Sequence, residues 1–230
     1  MSECADERVE RCIAQFTTAR AELQYFADNV TAWLSKCETK HATGLPDVYA
    51  VKSRLKDVDH LRAKLLRKPD VCEENFFQRV NDLAGVRVLH LWPSQFAAID
   101  AHIRRRIGND WKLHEAPKAY TWDPETKKYF LSLSLDVEEK ESYYTSVHYV
   151  VSPNNESAIA TCEIQIRSLL EEVWGEIDHS INYPAKTQIS VCTDQLLVLA
   201  KLIGAGSRLI SSIESSHRTG GPSKAASPVS

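Results

Sequence analysis

The sequence has no Cys-x-x-Cys pair. Its six cysteines, Cys4, Cys12, Cys37, Cys72, Cys162 and Cys192, are scattered along the chain. That spread argues against a zinc site and fits reduced cytosolic thiols better than a disulfide framework. No apolar h-region opens the chain: "MSECADERVERC" is charged, so no secretory leader is expected. No apolar run reads as long enough to span a bilayer, and the expectation is a cytoplasmic protein without a membrane partner. There is no large excess of one charge. A formal net charge of −3 gives no global pull toward nucleic acid or lipid, so any anion site must be a local cluster. No internal repeat is visible. What is present is 230 residues, 43% of them hydrophobic, enough for one good-sized core or two small ones.

Apolar residues from Val9 to Leu34 recur at helical spacing, which predicts a helix from residue 6 to about 40. After the breaker "HATGLPD", a second helix is predicted from about Val48 to Arg67. "FFQRVNDLAGVRVLHLW" reads as a helical turn leading through Gly85 into a buried strand, and the residues after Pro93 read as a helix. Residues 110–151 look β-rich, with strands near 128–135 and 143–151. Strand 159–167, helix 169–182 and a last helix over about 192–214 complete the pattern. The chain thus divides into three stretches: an N-terminal helical segment (1–45), a main domain (46–214) and a Ser/Gly/Pro-rich tail (215–230) expected to be disordered. Helices and strands mix without strict alternation, which predicts an α/β (mixed α+β) fold with a mixed sheet flanked by helices.

Five groups of residues could carry chemistry. On the predicted helix, 100° per residue places Lys56, His60, Lys64, Arg67 and Lys68 on one stripe, with Arg54 near its edge. Such a stripe is either a solvated face or a clamp for a polyphosphate. Asp82 precedes a strand and is either a loop cap or a functional acid. Arg87, inside the apolar run of that strand, needs a partner or a cleft. In "CEIQIR", Cys162, Ile164 and Ile166 point one way and Glu163, Gln165 and Arg167 the other. That polar face is a solvated sheet surface or the floor of an active site. Asp82 and Glu163 together could share one Mg²⁺, which takes oxygen ligands and commonly uses one or two carboxylates plus substrate phosphates. In "YYTSVHYVV", Tyr144, Ser146 and His148 share one face, and Tyr144 could stack on a base. On the helix "LLEEVWGEIDHSINY", Leu170, Val173, Trp174, Ile177 and Ile181 read as a packed stripe, while Glu172, Glu176 and His179 read as a solvated face.

The order "DLAGVRV", "Y-x-S-x-H", "EIQIR" and "W-x-E-I-x-H-x-x-x-Y" resembles the synthetase domain of the RelA/SpoT family, the enzymes that make (p)ppGpp. The resemblance spans about residues 48–183. It implies a nucleotidyltransferase-like fold and a small synthetase that transfers the β,γ-pyrophosphate of ATP to a 3′-hydroxyl. It implies that Asp82 and Glu163 hold Mg²⁺, with Glu163 or a neighbour helping to deprotonate the attacking hydroxyl. Arg54, Lys56, Lys64 and Arg67 would hold the ATP phosphates, with Arg87 nearby. Tyr144 would stack on the base of the acceptor, GDP or GTP. Ser146, His148 and Gln165 would support that pocket, and Arg167 would lie beside it or face a phosphate.

The run "DVEEKESYYTSVH" departs from the pattern of guanosine-using members, which have a basic loop and then Gly-Tyr-Arg-Ser or Gly-Tyr-Lys-Ser. Tyr143 stands at the Gly and Thr145 at the Arg. Asp136, Glu138, Glu139 and Glu141 predict a loop that repels 5′ phosphates. In this the chain resembles the toxic branch of small synthetases, which implies a tRNA 3′ CCA end or an adenosine nucleotide as acceptor and an antitoxin protein as partner. A reading from another class is an inactive nucleotide-binding module. The retained pair Asp82 and Glu163 argues against it.

Overall fold

The apolar spacing at Val9, Phe16, Leu23, Val30 and Leu34 builds helix α1 (Ser2–Leu34), and each of those side chains is buried. The structure, a computed structural model, describes residues 2–183 and 185–219. After α1 come β1 (Ala50–Leu55), α2 (Val58–Arg67), α3 (Phe76–Arg79), β2 (Ala84–His90), α4 (Gln95–Arg104), β3 (Trp111–Thr121) and α5 (Pro124–Ser132). Next are β4 (Asp136–Glu139), β5 (Ser146–Pro153), β6 (Cys162–Ser168), α6 (Leu169–Asn182) and α7 (Ser190–Thr219). The six strands form one mixed sheet in the order β1-β2-β6-β5-β3-β4. The pairs β2–β6 and β3–β4 are parallel, and the other three are antiparallel. This is the mixed, helix-flanked sheet that the sequence predicts.

Period-two alternation decides which face of the sheet is core. Val86 and Val88 of β2, Ile164 and Ile166 of β6, and Val147 and Tyr149 of β5 are buried in one cluster with α1 and with Leu61 and Leu65 of α2. The N-terminal segment therefore shares its core with the sheet. The alternate positions, Arg87, Glu163, Gln165 and His148, look away from that core. Leu61→Ala is expected to cost about 2–5 kcal/mol, because the side chain is fully buried in this cluster. Chemical denaturation of the variant checks it.

Several expected elements differ. The helix predicted from Val48 begins only at Val58; residues 50–55 are strand β1, paired antiparallel with β2 from Ala50↔Leu89 to Leu55↔Ala84. Val51 and Leu55 are four apart, a spacing that suits both a period of 3.6 and a period of two. Asp57 then caps α2, its carboxylate accepting from the backbone N–H groups of Asp59 and His60. The strand expected near 128–135 is instead α5, started by Asp123, which accepts from the backbone N–H of Thr126, and by Pro124 in the first turn. The next strand, β4, begins only at Asp136.

Helix α6 buries Trp174, but Val173, Ile177 and Ile181 remain 47%, 38% and 37% exposed, so the expected packed stripe is only partly covered. Helix α7 runs past residue 214 to Thr219, which brings the first part of the expected disordered tail into a helix. Residues 220–230 lie outside the described residues. Contrary to the sequence-based expectation, α7 is long and apolar enough to cross a membrane by length and composition. Leu196, Ala200 and Glu214 are buried against the rest of the chain, whereas Val198, Leu202 and Leu209 are exposed. Near its C-terminal end the Glu214 carboxylate accepts from Ser94 Oγ and lies 2.9 Å from His41 Nε2. Cys12, Cys37, Cys72, Cys162 and Cys192 are free thiols.

Candidate active site

The strand register lines up the polar residues of the open face. Lys52, Arg87, Gln165, His148 and Lys118 are successive cross-strand neighbours on β1, β2, β6, β5 and β3. One step along, Arg54, Gly85 and Glu163 form a second row. Gly85 puts no side chain between Arg54 and Glu163, and so leaves the floor open. A cleft of about 430 Å³ lies over these rows, lined by Lys52, Arg54, Lys56, Asp82, Gly85, Arg87, Glu163, Gln165 and Glu176.

Asp82, just before β2, shares this cleft with Glu163. The Lys56 ammonium is 2.8 Å from one Asp82 oxygen and the Lys64 ammonium 2.6 Å from the other. Burial pushes the Asp82 carboxyl up, but the two lysines outweigh it and hold the pKa down at about 2. An ionised group with a lowered pKa stabilises the fold above its ordinary value of 3.8, and that contribution is lost as pH falls through about 2. The difference corresponds to roughly 2 kcal/mol. The stability advantage of the wild type over Asp82→Asn is therefore expected to shrink between pH 4 and pH 2, which urea unfolding across that range would show.

Glu163 is the centre of a closed ring of side chains. Its carboxylate lies 3.1 Å from His148 Nδ1 and accepts from Gln165 Nε2 at 2.6 Å. Gln165 Oε1 accepts from Arg167 at 2.7 Å, Arg167 also donates to the Tyr144 oxygen at 2.6 Å, and Tyr144 meets His148 Nε2 at 2.9 Å. With a neutral imidazole, Tyr144 donates to Nε2 and the Nδ1–H faces Glu163. Burial pushes the Glu163 carboxyl up, but the His148 and Gln165 bonds more than compensate, so the group lies below its usual range. Burial raises the Tyr144 phenol, which keeps its proton. Tyr120 packs edge-on against His148 at 4.9 Å. Ser146 sits beneath the ring, fully buried, donating to the Ile166 carbonyl.

Most residues singled out in the sequence thus meet around one cleft, with exceptions. Arg54 and Lys56 belong to β1 and its exit rather than to the helix, so the single helical stripe does not exist; the strand and α2 converge on Asp82 instead. Arg67 is exposed at the end of α2, its Nε donating to the Ala63 carbonyl of its own helix, outside the cleft lining. The loop acids are largely paired: Glu138 with Lys118 at 2.9 Å and with Lys140, and Glu139 with Lys127. Tyr143 has a φ of 62°, the left-handed region that a glycine fills without strain, and its ring packs on Trp122. Thr145 is buried and shares a hydrogen bond with Thr121. His179 stacks on Tyr183 at 4.6 Å, as a structural histidine does.

Of the face expected to be solvated on α6, Glu176 is exposed but Glu172 is buried, and both partner the strand arginines. Arg87 donates to Glu172 at 3.0 Å and to Glu176, and Arg167 lies 3.4 Å from the other Glu172 oxygen. The one signal in the sequence was that Arg87, inside an apolar strand, needed an anion. Its position 85 residues away was not visible.

Among the described residues no three His, Cys, Asp or Glu side chains cluster as a closed metal cage. Two ionised carboxylates in an open, cation-rich cleft suit instead a hard divalent ion that completes its shell with phosphate oxygens and water.

The profile of the region found in RelA/SpoT proteins matches residues 53–188. The GTP pyrophosphokinase YwaC of Bacillus subtilis is 27% identical over 158 residues, 66% of this chain and 66% of that protein. The crystal structure of small alarmone synthetase 1 from Bacillus subtilis superposes with a TM-score of 0.67 at 17% identity, covering 90% of this chain and 97% of that one. The same synthetase bound to its product pppGpp gives a TM-score of 0.63 at 21% identity over 91% and 97%, and bound to AMPCPP 0.60 at 19% over 91% and 97%. These structural likenesses show the fold. The profile covers more than half of the sequence and includes Asp82, Arg87, the Tyr144–His148 segment and the Glu163–Arg167 strand, so the chain belongs to the RelA/SpoT family.

Proposed function

We propose that the cleft is a pyrophosphokinase site that moves the β,γ-pyrophosphate of ATP to the 3′-hydroxyl of a nucleotide. The observation that carries this reading is the pair of ionised carboxylates, Asp82 and Glu163, facing Lys52, Arg54, Lys56 and Arg87 in one cleft. The acceptor 3′-oxygen attacks the β-phosphorus in line, the bond from that phosphorus to the α,β-bridging oxygen breaks, and AMP leaves. The hydroxyl proton passes to Glu163, which the His148 imidazole, itself held by Tyr144, keeps in place. Lys56 and Lys64, now on Asp82, turn to the phosphates. Arg54 and Arg87 balance the charge that develops on the transferred group. Asp82 and Glu163 would hold Mg²⁺, which supplies charge neutralisation on the phosphates when bound. The cytoplasm is where the ATP supply and the free thiols fit.

GDP or GTP is the acceptor we favour. A relative bears the name GTP pyrophosphokinase, a similar structure holds pppGpp, and lysines neutralise Glu138 and Glu139. A second reading, the 3′ end of tRNA, is favoured by Thr145, which is buried and neutral where a cation would meet 5′ phosphates. Incubation with γ-labelled ATP and GDP, GTP, ADP or bulk tRNA in parallel separates the two. Label on GDP or GTP supports the first, label on tRNA alone the second, and no transfer to any of the four would remove the proposal. Unlike Glu138 and Glu139, Glu141 forms no ion pair among the described residues, so Glu141→Lys is expected to lower the KM for GDP by several-fold, a charge contact reduced by exposure and salt.

A further inference from the structure

We propose that Glu172 is a positioning residue that joins the two halves of the cleft, and that Glu176, one turn along the same helix, is displaced by the donor nucleotide. This rests on the pyrophosphokinase reading and concerns how that site is assembled.

The two carboxylates lie four residues apart on one face of α6 and so meet the same strands. Their environments differ. The Glu172 side chain is 5% exposed and that of Glu176 is 57% exposed. One Glu172 oxygen takes Arg87 at 3.0 Å, with Lys52 at 3.7 Å; the other takes Arg167 at 3.4 Å. Arg87 belongs to the donor side of the cleft. Arg167 belongs to the acceptor side, where it holds both Tyr144 and Gln165. One buried carboxylate therefore fixes a cation on each side.

Arg167 depends on it closely. Its side chain is buried, its Nε has no hydrogen-bond partner, and among the described residues Glu172 is the one acid within ion-pair distance. Helix α6 is built to accept it: a Cβ on Gly175 would meet Arg167 Nη1 at 2.8 Å. Removing the Glu172 charge would leave the buried Arg167 without an anion and Arg87 held by the exposed Glu176 alone, and both would lose their present orientation.

Glu176 also binds Arg87 but lines the open cleft. Its exposed carboxylate occupies the guanidinium edge that a phosphate would use, and it can swing into water at little cost. The same helix face thus carries one acid that presents Arg87 and one that competes for it. Neutralising them should act in opposite directions.

The test is calorimetric titration of AMPCPP, an ATP analogue with carbon at the α,β bridge, into wild type and three variants in the presence of Mg²⁺. Wild type is expected to bind. Glu172→Gln should weaken binding at least about tenfold, and Glu172→Asp, with shorter reach, should fall between the two. Glu176→Gln should tighten binding by a few-fold. A merely structural role for Glu172 would not produce the opposite response at Glu176 or a partial rescue by Asp. If melting shows that Glu172→Gln does not fold, Glu172→Asp and Glu176→Gln still decide. Equal binding by wild type and every folded variant, or weaker binding by Glu176→Gln, would overturn the inference alone. No binding of AMPCPP by folded wild type would remove the pyrophosphokinase reading with it.

Discussion

Glu163→Gln is expected to lower turnover by about two to three orders of magnitude while leaving the fold intact. Glutamine fills the same space and keeps one oxygen, so the strand β6 pairing and the core face of Cys162, Ile164 and Ile166 are undisturbed. What is lost is the charge. An amide cannot accept the acceptor's proton, and it is a poor ligand for a hard divalent ion. The amide also changes the ring of side chains. Gln165 Nε2 and the His148 Nδ1–H now donate to a neutral group, which weakens both bonds. Steady-state rates with saturating ATP, beside a melting curve, would check it. A variant with wild-type turnover would show that Glu163 is only part of a hydrogen-bonded sheet surface.

Lys56→Ala and Lys64→Ala should each reduce kcat/KM for ATP by about tenfold to a hundredfold, whereas Arg67→Ala should stay within a few-fold. The contrast comes from position. Lys56 and Lys64 reach Asp82 from β1's exit and from α2, and both ammonium groups are mostly shielded from water. Arg67 is exposed and folded back on its own helix. The same two truncations should raise the Asp82 pKa toward the ordinary carboxylate range, because the lysines are what overcome its burial. Kinetics of the three variants against ATP concentration decide the matter. Equal losses at all three positions would restore a single continuous phosphate-binding stripe.

Much of the site was legible in the sequence because its information is local. The alternation in "CEIQIR" separates Cys162, Ile164 and Ile166 from Glu163, Gln165 and Arg167 without knowledge of any partner. The strand "AGVRVLH" and its interior arginine are equally local. The segment from Val48 to Arg67 was not readable in this way. Val51, Leu55 and Val58 satisfy a helical period, and only pairing with β2 makes the first half a strand. The helix after Pro124 was hidden because Leu131, Leu133 and Leu135 alternate as a strand does, which masks the cap at Asp123. Glu172 is the clearest case of a residue that no local pattern reveals. Its burial comes from Arg87 and Arg167 on two strands, and the parallel pairing of β2 with β6 that brings them together is a long-range event. The loop acids illustrate the reverse: a charge run that looks repulsive in one dimension is largely paired with Lys118, Lys127 and Lys140 in three.

The most direct test of the account is the product ratio from ATP labelled on the γ-phosphate, incubated with Mg²⁺ and the acceptor that takes label. A pyrophosphokinase releases one AMP for each labelled acceptor formed, produces no ADP, and loses both products together in Glu163→Gln. ADP appearing in step with labelled acceptor would mean transfer of a single phosphoryl group, and AMP appearing with free labelled pyrophosphate would mean hydrolysis; either result would contradict the pyrophosphokinase assignment of this cleft.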